Sequence, residues 1–356
     1  MARFIGFDAH KSYAYVVELR DGIHQEYRVA IPGGLADFKE RLDPTAQLVL
    51  EASTNSFRLA DELRPHVGRL VVSDPAQTRG ASSGAATTDR SSAEALARLL
   101  ASDFIRPVWV PPQEIRSLRN LVELRVKLAR FRVGATNRLR ALSRQELAPE
   151  GKLGEEELKA VIPQDTTMQE FCSALFRLGA SFQGESDRLD AIFHEWCRSS
   201  KEARLLMSIP GVGPLVAACI VAQVGDIKRF SSPGKLCAYA GLVPRVHSSG
   251  QSHRTGGITK AGRRSLRWAM GLAAMSASRV DDSLKQFKEK LSERRPKAVA
   301  MTACARKLLV SVWHVWSRNT PYNGSEQRHA QKLKRLDRKK RQPKQTPEMT
   351  ETVDEI

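Results

Sequence analysis

The stretch FIGFDAHKSYAYVVELRDGIHQEYRVA, Phe4 to Ala30, decides the fold class. Phe4 to Phe7 is a short apolar run that ends at Asp8, Tyr13 to Leu19 is rich in β-forming residues, and Asp21-Gly22 leads into a third run, Ile23 to Val29. An Asp-Gly pair between such runs specifies a tight hairpin, because the favoured two-residue turn needs positive φ at both central residues. Three consecutive antiparallel strands therefore open the chain. A helix is then expected over Ala36 to Leu42, a buried strand over Gln47 to Leu50 ending at Glu51, a helix over Ser56 to Leu63, and a strand over Leu70 to Ser73 ending at Asp74. The pattern is that of an α/β domain with acids at its strand ends, and the crevice outside the carboxyl ends of strands is where open α/β sheets collect functional groups.

Asp8 and Glu51 stand on strands that can be neighbours and so can share a divalent cation. Carboxylate oxygens suit Mg²⁺ or Mn²⁺, and such ions stabilise the attacking and leaving oxygens in phosphodiester chemistry. An acid at a strand end also simply meets water, so position alone does not assign either residue. After a Gly/Ser/Ala/Thr-rich segment, 75–86, Thr87 or Thr88 is placed to cap a helix whose apolar face includes Ala93, Leu96, Leu99 and Leu100. Asp89 falls in its first turn, where the helix dipole favours an anion, and that alone is a sufficient structural reason for an acid there.

The bulk properties narrow the partners. With 356 residues and 41% hydrophobic content the chain has material for two or three domains. Its formal charge of +18 is spread along the sequence, which points to a polyanionic partner. The five cysteines show no CxxC spacing and no even count, as expected of small core residues in a reducing cytoplasm. The N-terminus begins a strand without an apolar leader, and the longest apolar runs fall short of the 18 or so residues of a membrane span, so neither secretion nor membrane insertion is expected.

From 113 to 200 the expected structure is a basic helical hairpin or coiled coil. Leu118, Leu121, Leu124, Leu128, Phe131, Ala135, Leu139 and Leu142 recur at three- and four-residue intervals, and Phe171, Leu175, Leu178, Phe182, Leu189, Phe193 and Trp196 form a second stripe on either side of Gly184. The first helix carries Arg116, Arg119, Arg125, Arg132 and Arg138 among other cations, against only Glu114, Glu123 and Glu146. A solvated coiled coil mixes its signs more evenly, so these arginines are candidates for contact with a nucleic-acid backbone.

The remaining domain, 201–320, reads as all-helical. LLMSIPGVGPLVAACIVAQVGD, Leu205 to Asp226, has the form of a helix-hairpin-helix, in which Gly211, Gly213 and the following helix N-terminus would hold a phosphate. A helix from Lys235 to Ala240 then opens into a loop where Ser248, Ser249, Gly250, Gly256 and Gly257 lie among Arg245, Arg254, Lys260, Arg263 and Arg264. Glycine lets a backbone approach closely and guanidinium groups balance phosphoryl charge, the surroundings a serine attacking a phosphodiester needs. Helices over Ser265 to Ala277 and Ala298 to Trp316 complete the domain, and 321–356 reads as a disordered basic tail with an acidic end.

FIGFDAHKS, LVLEAS and TTDRSSAEALARLLASDFIRPVWVP resemble the N-terminal region of the DEDD transposases of insertion sequence family 110 and their DNA invertase relatives. The stretch from IPGVGPL to RRSLR resembles the C-terminal transposase domain of the same family. The resemblance implies a RuvC-like, RNase H-type first domain with Asp8, Glu51 and Asp89 as ligands of Mg²⁺ or Mn²⁺. The family's helix motif T-D-x-x-D-A places a fourth acid where this chain has Ser92. It also implies Ser249, before Gly250, as the nucleophile that forms a phosphoserine link to DNA, with donor and target DNA as substrates. A structured bridge RNA as guide, a homo-oligomer, dimer or tetramer, and a bacterial cytoplasmic setting belong to the same implication. Two alternatives stay open: a metal nuclease or junction resolvase that needs no serine, and a nucleic-acid binder weakened by Ser92. Glu94 and Asp74 are the acids nearest to hand as substitutes.

Overall fold

The computed structural model describes residues 3–75, 88–145, 154–161, 165–249 and 252–323, with backbone only for 155, 246–249 and 252–255. The chain divides into two compact units, Met1–Pro112 and Gln113–Ile356.

The first unit is built on a five-stranded sheet of order β3-β2-β1-β4-β5. Its strands are β1 (Arg3–Ala9), β2 (Tyr13–Arg20), β3 (Ile23–Ala30), β4 (Ala46–Glu51) and β5 (Arg69–Ser73). The first three form an antiparallel meander whose turn at Asp21 and Gly22 takes positive φ at both residues, as the Asp-Gly pair requires. β4 and β5 then run parallel to β1. Alternation along the strands gives the sheet two different faces. Ile5, Phe7, Ala14, Val16, Leu48, Leu50 and Val72 pack under α1 (Leu35–Glu40) and α2 (Ser56–Leu63) through Leu35, Phe38, Leu59, Ala60 and Leu63.

The opposite face carries a single described helix, α3 (Asp89–Ala101), which meets Val49 and Val71 through Leu96 and Leu100 and Val17 through Ala93 and Ala97. This packing depends on Gly6. A Cβ at that position would lie 1.9 Å from the Ala93 carbonyl oxygen and 2.8 Å from the Ala97 nitrogen. The absent side chain on β1 and the two alanines on α3 let helix and strand touch backbone to backbone.

The second unit is helical apart from one hairpin. α4 (Gln113–Gln145) and α6 (Thr166–Ser199) form the expected pair, with the short α5 (Glu155–Val161) in the connection between them. Their contacts show the antiparallel sense: Arg125 bonds Asp190, Phe131 stacks on Phe182 at 5.4 Å, and Leu142 packs with Cys172. α6 runs unbroken through Gly179 and Gly184, because packing along the hairpin outweighs a glycine penalty of about 1 kcal/mol each.

α7 (Lys201–Leu206), the almost wholly buried α8 (Pro214–Val224), α9 (Pro233–Tyr239), α10 (Arg264–Val280), α11 (Asp282–Ser292) and α12 (Lys297–Arg318) complete the unit. One core joins Leu118, Val122, Val126, Leu189 and Phe193 of the long hairpin to α8, α10 and α12. By length and composition α12 would suffice to cross a membrane, yet its Ala300, Cys304, Leu308, Leu309, Val312 and Val315 belong to that core. The segment after α9, expected as a loop, is a β-hairpin of β6 (Pro244–Ser249) and β7 (Ser252–Ile258), paired from Pro244–Ile258 to Ser249–Ser252. The expected tail lies largely in 324–356, outside the described residues.

Gly6→Ala is expected to force α3 off the sheet and destabilise the protein by about 1–3 kcal/mol, the usual scale of overpacking. A shift of the urea midpoint at unchanged m-value measures it.

Candidate metal centre and basic surface

Asp8, second from last in β1, and Glu51, last in β4, follow the register pair Phe7–Leu50 on adjacent parallel strands. Both therefore point to the face that α3 covers. Asp89 is brought there as the first residue of α3. Thr88 caps this helix, accepting from the Ser91 amide, while the Ser91 hydroxyl accepts from the Thr88 amide. The contact at Gly6 then sets the first turn of α3 above the end of β1.

His10, and not Glu51, joins Asp8 and Asp89 in the cluster of close donor atoms among the described residues. It lies two residues beyond Asp8 and so on the same side of the extended chain. Its Nε2 is 3.5 Å from Asp8 Oδ2 and 3.3 Å from Asp89 Oδ1, and the donor atoms of all three residues lie within 4.8 Å of one another. That nitrogen is buried and makes no hydrogen bond; its two carboxylate contacts are close but poorly aligned. Tyr13 donates its hydroxyl to Asp89 Oδ2 at 2.6 Å and stacks on His10 at 4.8 Å between ring centroids. The guanidinium of Arg28 sits 5.1 Å over the other partner in this stack, the Tyr13 ring. Asn55 donates to the His10 carbonyl at 3.1 Å, tying the start of α2 to the site.

The electrostatics are those of crowded acids. Burial is the largest influence on Asp8 and raises its pKa; His10 opposes that, and the charges of Asp89 and Glu51 add to it. The hydrogen bond to Asp89 raises the Tyr13 pKa, so the phenol stays a donor. A site that holds carboxylates together against their own repulsion and desolvation has the chemistry of a cation site.

Ser92 sits one turn along α3, partly buried, with only a hydroxyl to offer. Neither acid weighed as its substitute joins the cluster. Glu94 accepts from Arg98 at 2.6 and 3.0 Å, and that partner lowers its pKa. Asp74 follows β5, two strands from β1 and so about 10 Å away across the sheet. His10 and Tyr13 were not assigned from the sequence; the signal was the spacing Asp8-x-His10 at the end of a strand.

The basic residues of the second unit separate into two groups. Arg119 is a correction: its side chain is buried, and it donates from Nε to the Ala222 carbonyl at 2.6 Å and from Nη2 to the Gln223 carbonyl at 3.1 Å. With Arg229 on the Val224 carbonyl at 2.6 Å and the Tyr239 hydroxyl on Gln223 at 3.0 Å, it caps the C-terminus of α8, where orphan carbonyls and the helix dipole favour cations. Burial, helped by the charges of Arg263 and Arg229, pulls its pKa down to about 10. Arg125 is held by Asp190 in a two-pronged pair at 2.9 and 2.8 Å, and Arg116 is half-buried.

Gly211 has a packing role as well: with φ +80°, its missing Cβ would lie 2.3 Å from the Ala273 carbonyl oxygen, so only glycine allows the contact of this turn with α10. Gly213 is exposed at the N-terminus of α8. Arg132, which bonds Gln183, and Arg138 lie exposed on α4. Arg245, Lys260, Arg263 and Arg264 are exposed around the base of the β6–β7 hairpin, where Arg263 also bonds the Tyr239 hydroxyl at 2.9 Å. Ser249 closes β6 beside the turn; its side chain and that of Arg254 lie outside the described atoms.

Residues 203–289 match the family model described as Transposase IS116/IS110/IS902 family. A probable family 20 transposase of Pseudomonas aeruginosa is 27% identical over 80% of this chain and 88% of its own length. The transposase for insertion sequence element IS1111A of Coxiella burnetii is 28% identical over 66% of this chain and 68% of its own. A pilin gene-inverting protein of Moraxella bovis is 34% identical over a shorter region, 34% of this chain and 38% of its own.

Arg119→Met is expected to lower stability by about 1.5–3 kcal/mol, the range for hydrogen bonds to a charged group, with little change in DNA affinity. Denaturant titration and a DNA-binding isotherm at fixed salt separate the two effects.

Proposed function

This chain belongs to the IS116/IS110/IS902 family of transposases, and from that premise we propose that it is a DNA recombinase that cuts and rejoins insertion-sequence DNA through Ser249 and a divalent-metal site at Asp8, Glu51 and Asp89. The observation that carries the metal half is the convergence of Asp8 and Asp89, from elements separated by more than eighty residues, around the orphaned Nε2 of His10. The strand order β3-β2-β1-β4-β5, an antiparallel meander continued by parallel strands, supports a RuvC-like reading of the first unit.

The donor set fits the expected ion. Carboxylate oxygens and a surrounding crowd of negative charge are what Mg²⁺ or Mn²⁺ requires. Asp8, Glu51 and Asp89 would hold it, and when bound it supplies charge neutralisation to phosphoryl oxygens. Tyr13 orients Asp89 by its hydrogen bond, and Asn55 fixes the backbone of His10. In the second unit the Ser249 hydroxyl attacks phosphorus: an Oγ–P bond forms, the P–O bond to the sugar breaks, and the serine proton passes to the departing sugar oxygen, which leaves as a hydroxyl. Exposed Arg245, Lys260, Arg263 and Arg264 around the hairpin base supply fixed positive charge to the DNA backbone.

Partner DNA follows from the family, and a gene-inverting protein among the relatives supports rejoining as well as cutting. We extend the reading to a structured guide RNA held by the basic helices, to action as a homo-oligomer and to a bacterial cytoplasmic setting. RNA copurified from native cells and sequenced tests the guide: one discrete species supports it, and heterogeneous or absent RNA counts against it.

Ser249→Ala is expected to reduce strand transfer about a thousand-fold or more, and to abolish the covalent protein–DNA adduct seen on denaturing gels. Retained cutting without an adduct would favour a metal nuclease. Asp8→Asn and Asp89→Asn are each expected to remove metal-dependent cleavage while leaving DNA binding within a few-fold.

A further inference from the structure

We propose that His10 is itself a metal ligand, which makes the centre a mixed oxygen–nitrogen site that prefers Mn²⁺ to Mg²⁺. This rests on the metal reading given above and goes beyond it in naming a ligand and a metal preference. Three independent features of the cluster carry it.

The first is distance. Ligand atoms in cis positions about 2.1 Å from a small divalent cation are about 3 Å apart. His10 Nε2 stands 3.3 Å from Asp89 Oδ1 and 3.5 Å from Asp8 Oδ2, close to that spacing without an ion between them.

The second is how the cluster's polar atoms are used. Asp89 divides its oxygens: Oδ2 accepts the Tyr13 hydroxyl, and Oδ1 faces the imidazole. His10 Nε2 is buried from solvent without a hydrogen bond, although two carboxylates lie beside it. A histidine acting only as counter-ion to these acids would turn its N–H onto one of them. A lone pair shared toward a common point satisfies all three residues together.

The third is restraint. The ring is stacked on Tyr13, the His10 amide donates to the Tyr13 carbonyl at 2.8 Å, and the His10 carbonyl accepts from Asn55. Outer partners that fix a ligand's orientation are the usual company of metal-binding imidazole. On the helix side only Asp89 contributes a carboxylate, because Ser92 offers a neutral hydroxyl. The further donor therefore comes from the residue just past β1, as nitrogen. Mg²⁺ strongly favours oxygen ligands, whereas Mn²⁺ accepts imidazole more readily, and this sets the preference.

The test uses the full-length protein with Mn²⁺ alone as probe. Pulsed electron paramagnetic resonance of the bound ion should show coupling to an imidazole nitrogen, lost in His10→Ala and in His10→Asn. Both variants should weaken Mn²⁺ binding by at least about ten-fold and Mg²⁺ binding by much less. Circular dichroism and thermal unfolding establish that the variants are folded, and if one of the two is not, the other decides the ligand. Mn²⁺ bound in an Asp8-dependent manner without nitrogen coupling, or with coupling that survives loss of His10, overturns the inference and leaves the carboxylate site standing. No Asp8-dependent binding of either ion overturns both.

Discussion

The contact between the backbone of α3 and the backbone of β1 at Gly6 is the constraint on which the first unit depends. No L side chain fits there, since its Cβ would stand 1.9 Å from the Ala93 oxygen. The helix is seated closely enough that its first residue reaches the acid at the end of the strand beneath it. The same close seating explains the small residues Ala93 and Ala97 along the buried stripe of α3, with Leu96 and Leu100 filling the wider space over β4 and β5. The capping of α3 by Thr88 contributes in the same direction, because it fixes where the helix begins and hence where Asp89 stands.

A comparable role in the second unit falls to the C-terminal end of α8. This helix is too apolar and too buried for water to reach its last carbonyls, so protein donors must replace it. Arg119 from α4, Arg229 and Tyr239 do so, and Arg263 is joined to them through the Tyr239 hydroxyl. The long hairpin, the core helix and the base of the β6–β7 hairpin thus share one polar knot. Of the cations counted as nucleic-acid contacts, some are consumed in holding this unit together, and those of them that stay exposed lie on α4 and around the hairpin base.

Most of the fold was legible because its elements follow local rules. Asp21-Gly22 announced the first hairpin, the Leu/Phe stripes announced α4 and α6, and the boundaries of α2 fell where expected. The β6–β7 hairpin was missed because Ser, Gly and Arg carry little strand propensity, and pairing across a short turn outweighed it. At the site, Asp8, Glu51 and Asp89 were named from strand ends and resemblance. His10 was passed over, since a lone histidine in a loop carries no signal until the strand's alternation is followed past its last paired residue. The fates of Arg119 and Gly211 were not legible at all. Each depends on a partner far away in sequence, the α8 carbonyls in one case and α10 in the other, and composition is blind to such contacts.

The central claim is that the seating of α3 on β1 creates a cation site between Asp8 and Asp89. Anomalous diffraction from crystals soaked in Mn²⁺ tests it directly. The account predicts one dominant peak in the first unit, within bonding distance of carboxylate oxygens of both residues and missing from crystals of Gly6→Ala. A peak elsewhere in that unit, or none at a Mn²⁺ concentration that supports activity, would contradict it.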